Sequence, residues 1–332
     1  METIWGIGIA IILFLQNVGH WMTAPMQFFT FLGQAEFYLL VMPILYWCVD
    51  ARLGLRVALI LFCSGGLNES LKIVFHQPRP YWLTQRVHAF ASESNFGFPS
   101  GHAQNSVSLW GLLAAKMHRR WAWAAAIVLA FCIGLSRLYL GVHFPTDVLV
   151  GWLVGALVLW AFLRWEAPVA HWLSRRAFGQ QVLIALVASL IVLALTLLIR
   201  LGLGGWQVPD AWIQNALAGS GERPTPLSLE GALTFAGVLF GIGAGAAWMT
   251  RMGGFCAGGP VTKRLVRYLL GLLGVILIWY GLKAAFPGEA DLLGYALRYL
   301  RYALVGLWVS VGAPALFVRL RLADKGAPSD PP

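Results

Sequence analysis

Three stretches of the 332-residue chain hold side chains whose types and spacing suit chemistry on an anion. In LKIVFHQPRP, Lys72 stands near the end of an apolar run and Arg79 lies between Pro78 and Pro80. An ammonium inside a membrane segment is costly, which makes Lys72 a functional candidate. Pairing with Glu69 one turn earlier, or snorkelling to the interface, would also satisfy it. The flanking prolines restrict the backbone around Arg79 and hold its guanidinium for bidentate binding of an oxyanion. In FGFPSGHAQ, Ser100 is a helix N-cap, Gly101 lets a ligand approach the backbone, and His102 falls in the first turn. Free amides at such a helix start attract an anion. In SRLYLGVHFPTD, Arg137 closes one apolar segment, His143 sits in the connector, and Asp147 opens the next helix behind Pro145. Asp147 is placed to orient His143 and activate its other ring nitrogen as a nucleophile. It would equally cap its own helix.

Taken together, Lys72, Arg79 and Arg137 set three cations around two imidazoles and one carboxylate. That combination suits a phosphoryl group, whose equatorial oxygens share negative charge in the transition state. There is no cluster of carboxylates to hold Mg²⁺ or Ca²⁺, and two histidines among cations make a poor Zn²⁺ site. The expected chemistry is phosphoryl transfer with no metal and no cofactor.

These residues must be positioned by membrane helices. The chain is 59% hydrophobic and only 11% charged, with a mean hydropathy of +0.71. A soluble domain carries about 25% charged residues, so the sequence predicts an all-α polytopic transmembrane bundle. Spans are expected at 34–49, 55–76, 101–116, 121–140, 145–164, 182–203, 231–250, 265–283 and 300–318. The first 33 residues fit one span, a re-entrant pair or an interfacial helix, because Pro25 interrupts them. They contain no Lys or Arg, so a cleaved signal peptide is not expected.

The net charge of +10 is gathered in short connector clusters. That is the pattern of topology signals, not of nucleic-acid binding. Arg52 with Arg56, Lys116 with Arg119 and Arg120, and Arg164 with Arg175 and Arg176 mark alternate connectors as cytoplasmic. Connectors 77–100 and 141–144, which carry the candidate residues, then face the opposite side. Arg298 and Arg301 break the pattern, since they fall on the outer side of the last span. Cys48, Cys63, Cys132 and Cys256 lie singly and lack metal or redox spacing, so no disulfide is expected. The polar candidates fall within a core at 34–165. Residues 180–320 add further helices without a comparable polar cluster, and the tail 321–332 is expected to be disordered.

The three stretches resemble the tripartite signature of the type 2 phosphatidic acid phosphatase superfamily. Lys72 to Arg79-Pro80 matches Lys-x6-Arg-Pro, Pro99-Ser100-Gly101-His102 matches the second element, and Ser136-Arg137 to His143 and Asp147 matches Ser-Arg-x5-His-x3-Asp. The resemblance covers residues 35–165 and implies metal-independent hydrolysis of phosphate esters or diphosphates. It implies that His143 is the nucleophile forming a phosphohistidine, that Asp147 orients it, and that His102 protonates the leaving oxygen. It also implies that Lys72, Arg79, Ser100, Gly101 and Arg137 hold the phosphoryl oxygens. The expected partners are an amphiphilic phosphate and the lipid bilayer, in a cell (inner) membrane, with the site on the non-cytoplasmic face. The sequence leaves oligomeric state open. A lipid phosphate or polyprenyl diphosphate is the first substrate reading, and a sugar phosphate the second. A transporter or scaffold with a vestigial phosphatase core is a third reading. A vanadium haloperoxidase shares the signature, but that class is soluble. Phe75, Tyr81, Trp82, Phe90, Phe96 and Phe98 are expected to ring the substrate entrance as an interfacial belt.

Overall fold

The computed structural model describes residues 2–286 and 291–326, and these fold almost wholly into helices. In chain order they are α1 (Glu2–Gln16), α2 (Thr23–Phe31), α3 (Ala35–Ile44), α4 (Ala51–Phe75), α5 (Pro80–Leu83), α6 (Gly101–Met117) and α7 (Arg120–Tyr139). There follow α8 (Pro145–Ser174), α9 (Phe178–Gly202), α10 (Asp210–Ser220), α11 (Glu230–Arg251), α12 (Val261–Ala285), α13 (Leu292–Leu307) and α14 (Ala313–Arg319). The one extended pairing among the described residues is a single antiparallel bridge, Phe255 with Lys325. Among the described residues, seven helices are long and apolar enough to cross a membrane. The chain is an integral membrane protein.

Two expected spans are not among these seven helices. Residues 34–49 form α3, with Pro43 inside it, followed by a π-helical turn at Leu45–Val49. The second, 101–116, forms the continuous 17-residue α6, whose first half carries the polar Gln104, Asn105, Ser106 and Ser108. The N-terminal segment forms a bent pair, Thr3–Gln16 and His20–Phe31, meeting at 91°, the geometry of a broken span or a re-entrant loop. All four cysteines are free thiols.

The chain divides into two compact units. The first holds residues up to Tyr38, Leu67–Ala161 and Thr196–Ser228. Its core gathers Ile12, Met26, Tyr81, Trp82, Phe96 and Phe144 beneath the connectors that carry the candidate residues. Tyr81, Trp82 and Phe96 are therefore core residues, 1%, 0% and 0% exposed, and do not form the expected entrance belt. Phe75, by contrast, is 42% exposed and stacks edge-on against Phe98.

The second unit holds Leu39–Gly66, Phe162–Leu195 and the chain from Leu229. There α11 lies directly on α13 through small residues. A Cβ on Gly241 would stand 2.1 Å from Ala303 O, so only glycine permits this approach of two membrane helices. Arg267 is buried and donates to the carbonyls of Cys256, Ala257 and Gly258, bracing the turn before α12. Residues 321–326, placed in the tail by the sequence, are ordered here. Ala323 is 6% exposed and Asp324 O accepts from Cys256 N. The rest of that tail lies outside the described residues.

Candidate active site

The site is built in the first unit, where the end of α4, the connector 76–100, the start of α6 and the α7–α8 turn meet. Asn68, one turn before Lys72, donates through Nδ2 to Pro99 O at 3.3 Å and to Gln104 Oε1 at 2.8 Å. These bonds fix α4 against the start of α6. A Cβ at Gly101 would lie 2.8 Å from Asn68 Oδ1, which is the local reason for glycine in that motif. Ser100 is the expected N-cap, with Oγ accepting from Ala103 N at 3.4 Å, while its own amide donates to Asp147 O at 3.0 Å. The serine thus joins the start of α6 to the start of α8. The first-turn amides of Gly101 and His102 remain as the donors that any helix start leaves open.

The α7–α8 turn carries the His143–Asp147 pair. His143 Nδ1 lies 3.2 Å from Asp147 Oδ2, and both side chains are 1% exposed. The same Oδ2 accepts from Phe144 N at 2.8 Å, and Oδ1 accepts from Thr146 Oγ1 at 3.4 Å. Asp147 therefore orients the imidazole and closes the helix turn at once. Burial, then the charges of Arg79, Arg137 and Lys72, hold the His143 imidazole well below its ordinary pKa. It is neutral at pH 7. With Nδ1–H directed at Asp147, Nε2 carries the ring's lone pair.

Arg79 differs from its expected form. Its Nε donates to Asn95 O at 2.7 Å, Nη2 to Asn95 Oδ1 at 2.5 Å and Phe96 O at 3.2 Å, and Nη1 to Val142 O at 2.9 Å. The remaining Nη1–H faces His143 Nε2 at 3.3 Å. All five donors of the guanidinium are directed at protein acceptors, so no open fork awaits an oxyanion. The reason is burial: a charge that is 0% exposed must be hydrogen-bonded on every side.

Arg137 is satisfied on two corners. Nη1 donates to Thr30 Oγ1 at 2.6 Å, and Nη2 pairs closely with Glu93 Oε1. Its Nε is buried without a partner, as is Nε2 of His102. Orphaned buried polar atoms are rare and ask for an explanation. Two of them on the two residues named from sequence mark a place where polar ligand atoms are wanted.

Glu93 is a residue of this constellation that sequence reasoning missed. Its carboxylate pairs with Arg137 and lies 3.8 Å from Arg79 Nη2. Its backbone is gripped by Tyr81, whose Oη donates to Glu93 O at 2.9 Å and accepts from Glu93 N at 3.1 Å. Burial alone would raise its pKa, but Arg79, Arg137, His102 and Lys72 together pull it well below the ordinary carboxylate range. The available signal was a lone carboxylate in a connector otherwise aimed at anions. Thr30, from the N-terminal helix pair, was missed as well. Lys72 is 6% exposed, but the expected ion pair with Glu69 is not formed: among the described residues, no Lys72–Glu69 contact falls within 4 Å.

The sequence around this constellation matches a known family. A model described as the PAP2 superfamily matches residues 53–171, and one described as the PAP2 superfamily phosphatase transmembrane extension matches 233–325. Phosphatidylglycerophosphatase B of Bacillus subtilis (strain 168) is 32% identical over 151 residues, 42% of this chain and 72% of that protein. The chain belongs to the PAP2 superfamily. Bovine (Bos taurus) glucose-6-phosphatase 3 is 32% identical over 200 residues, covering 52% of this chain and 57% of the relative. The undecaprenyl-diphosphatase of Sulfolobus acidocaldarius is 28% identical over 117 residues, covering 35% and 56%. The chain thus spans little more than half the length of several relatives. Within the PAP2 match lie Lys72, Arg79, Glu93, Ser100, Gly101, His102, Arg137, His143 and Asp147. Thr30 lies before it. Residues 172–232 fall between the two matches, yet part of that segment packs on the site's own connector. Thr225 N donates to Ser94 O, Asn215 Nδ2 donates to Trp82 O, and Trp206 meets the rings of His76 and Phe96.

Proposed function

We propose that this PAP2 protein hydrolyses an amphiphilic phosphate, a lipid phosphate or polyprenyl diphosphate, through a phosphohistidine on His143. The observation that carries the reading is the pair of nitrogens at the turn: Nδ1 on Asp147 at 3.2 Å and Nε2 facing Arg79 Nη1 at 3.3 Å. Nε2 attacks phosphorus while the bond to the leaving oxygen breaks, and His102 delivers a proton to that oxygen. Asp147 stabilises the imidazolium character that develops on His143. Water then attacks the phosphohistidine, His102 takes its proton, and the P–N bond breaks to release phosphate. The electrophilic work falls to Arg137 Nε, Lys72 and the amides of Gly101 and His102, with the fully bonded Arg79 adding its positive charge beside the attacking nitrogen. Ser100 serves by holding the start of α6. In this reading the site faces the non-cytoplasmic side, where the alternation of basic connectors puts it.

A lipid substrate is favoured because a long apolar tail supplies remote binding energy that holds the phosphate in a reactive pose. The relatives named for phosphatidylglycerophosphate and undecaprenyl diphosphate support this class. The relative named glucose-6-phosphatase 3 supports a second reading, a hexose phosphate. The deciding experiment is a tail-length series in mixed micelles at constant surface concentration, with glucose 6-phosphate in parallel. The lipid reading requires kcat/KM to climb with tail length. A flat series, with the hexose phosphate performing as well, would give the sugar-phosphate reading its place.

A further inference from the structure

Arg298 and Arg301, the two cations that break the topology pattern, stand at the end of the second unit where α11 starts, α12 finishes and α13 begins. Arg298 has a counter-charge: Nη1 lies 2.7 Å from Glu230 Oε2, and Nε donates to Glu230 O and Thr234 Oγ1. Arg301 has none. It is 8% exposed, its Nε is buried without a partner, and the rest of its guanidinium donates to no described residue. Its guanidinium stands against the face of Tyr302, 5.2 Å from the ring centroid. Arg298 lies 5.6 Å from the same centroid. Tyr302 in turn accepts from Trp279 Nε1 at 3.2 Å, and Lys283 Nζ stands 5.5 Å over the Trp279 ring. Three cations therefore surround one Tyr–Trp pair, with Glu230 the one carboxylate bonded to any of them among the described residues. Asp291, nearby in sequence, is engaged as N-cap of α13, accepting from Gly294 N at 2.6 Å.

A guanidinium buried in a membrane helix without a counter-ion is expensive, and such residues pair with a partner or mark a ligand. Arg301 lies nine residues into α13, about 14 Å along the helix axis, and arginine side chains lean back toward the helix N-terminus. Its fork is thus directed toward the level of Arg298, close to the helix end. Leu292 and Leu293, 86% and 57% exposed, open α13 and present an apolar flank beside the cations. A ligand suited to both features carries a phosphate and hydrocarbon together. We propose that Arg301, with Arg298 and Lys283, forms a binding site for the phosphate of an anionic phospholipid headgroup, separate from the catalytic constellation and within the transmembrane extension.

The test uses the purified full-length protein in detergent and follows its thermal midpoint. Adding phosphatidylglycerol micelles should raise Tm by about 2–4 °C, while phosphatidylcholine micelles leave it in place. Arg301→Leu removes the uncompensated charge. It should match or exceed the wild-type Tm without lipid and lose the gain from phosphatidylglycerol. Lys283→Gln, on the exposed rim, should reduce the gain without altering the fold. Phosphatase turnover on a short-chain substrate should be unchanged in both variants, because neither residue belongs to the catalytic machinery. An equal gain in wild type and both variants would overturn the site. So would an Arg301→Leu protein that is less stable than wild type without lipid, since that outcome makes Arg301 a structural brace. A gain produced by inorganic phosphate alone, and lost in Arg301→Leu, would replace the lipid with free phosphate as the ligand.

Discussion

Glu93 Oε1 is bound by Arg137 Nη2 inside a site whose other features call for a bound anion. With Oε2 lying 3.8 Å from Arg79, the carboxylate stands where phosphoryl oxygens would draw on the same charges. Glu93→Gln keeps the shape and the oxygen acceptor for Arg137 but removes the internal negative charge. Orthovanadate should then inhibit about tenfold more tightly, roughly 1.4 kcal/mol. A vanadate inhibition constant that is unchanged or weaker in this variant would show that the carboxylate does not compete with the bound anion.

His143→Ala and His102→Asn should both lose steady-state turnover, for different reasons. The first has no nucleophile, so no acid-labile phosphoenzyme forms with any substrate. The second loses proton transfer, a loss of about 10²–10⁴-fold, but should still accumulate label from a substrate with a good leaving group. Rapid quench with radiolabelled phosphate ester reads this directly. Label on the His143→Ala protein would move the nucleophile elsewhere.

Gly97 stands outside the signature motifs yet touches the site. A Cβ there would lie 2.8 Å from Pro78 O, 3.3 Å from Asp147 Oδ2 and 3.4 Å from Arg79 Cγ. Gly97→Ala should cost about 1–3 kcal/mol by overpacking. It should also lower kcat far more than it raises KM, because the displaced group orients His143. Wild-type kcat in a folded Gly97→Ala protein would contradict the rigidity assigned to this corner.

Acid should expose the buried histidine. His143 is held well below its ordinary 6.5 by burial first, then by Arg79, Arg137 and Lys72. The unfolded chain therefore takes up a proton near pH 6.5 that the folded protein refuses, so this group's contribution falls as pH drops through 6.5. Glu93 acts lower: its folded pKa is depressed, so its contribution is present above 4.5 and lost as pH falls below that. The Tm difference between wild type and His143→Asn should shift against wild type between pH 7 and 5. The difference from Glu93→Gln should shift only below 4.5. A pH-independent difference in both windows would refute the linkage.

The sequence was legible wherever function requires a particular residue type at a fixed spacing along one segment. Asp147 reaches His143 because the two are separated by four residues at a helix start, and Ser100 caps α6 for the same local reason. Contacts made across segments were not legible. Nothing in the 77–100 connector indicates that it wraps Arg79 closely enough to occupy every donor, or that Glu93 folds back onto Arg137. Glu69 and Lys72 have pairing spacing on a helix, yet no contact between them falls within 4 Å. Tyr81, Trp82 and Phe96 have belt composition, but the connector folds inward and makes them core. The alternation of basic connectors located Arg298 and Arg301 as exceptions without showing that only one of them is neutralised.

The bend between the two N-terminal helices has a bearing on how catalytic domains of this kind are exchanged. It brings Thr30 onto Arg137 from a segment that the PAP2 match, beginning at residue 53, leaves out. A chimera spliced at the edges of that match would import the arginine and strand it from its hydroxyl. Splice points for recombination belong upstream of this bent pair, so that Thr30 travels with Arg137.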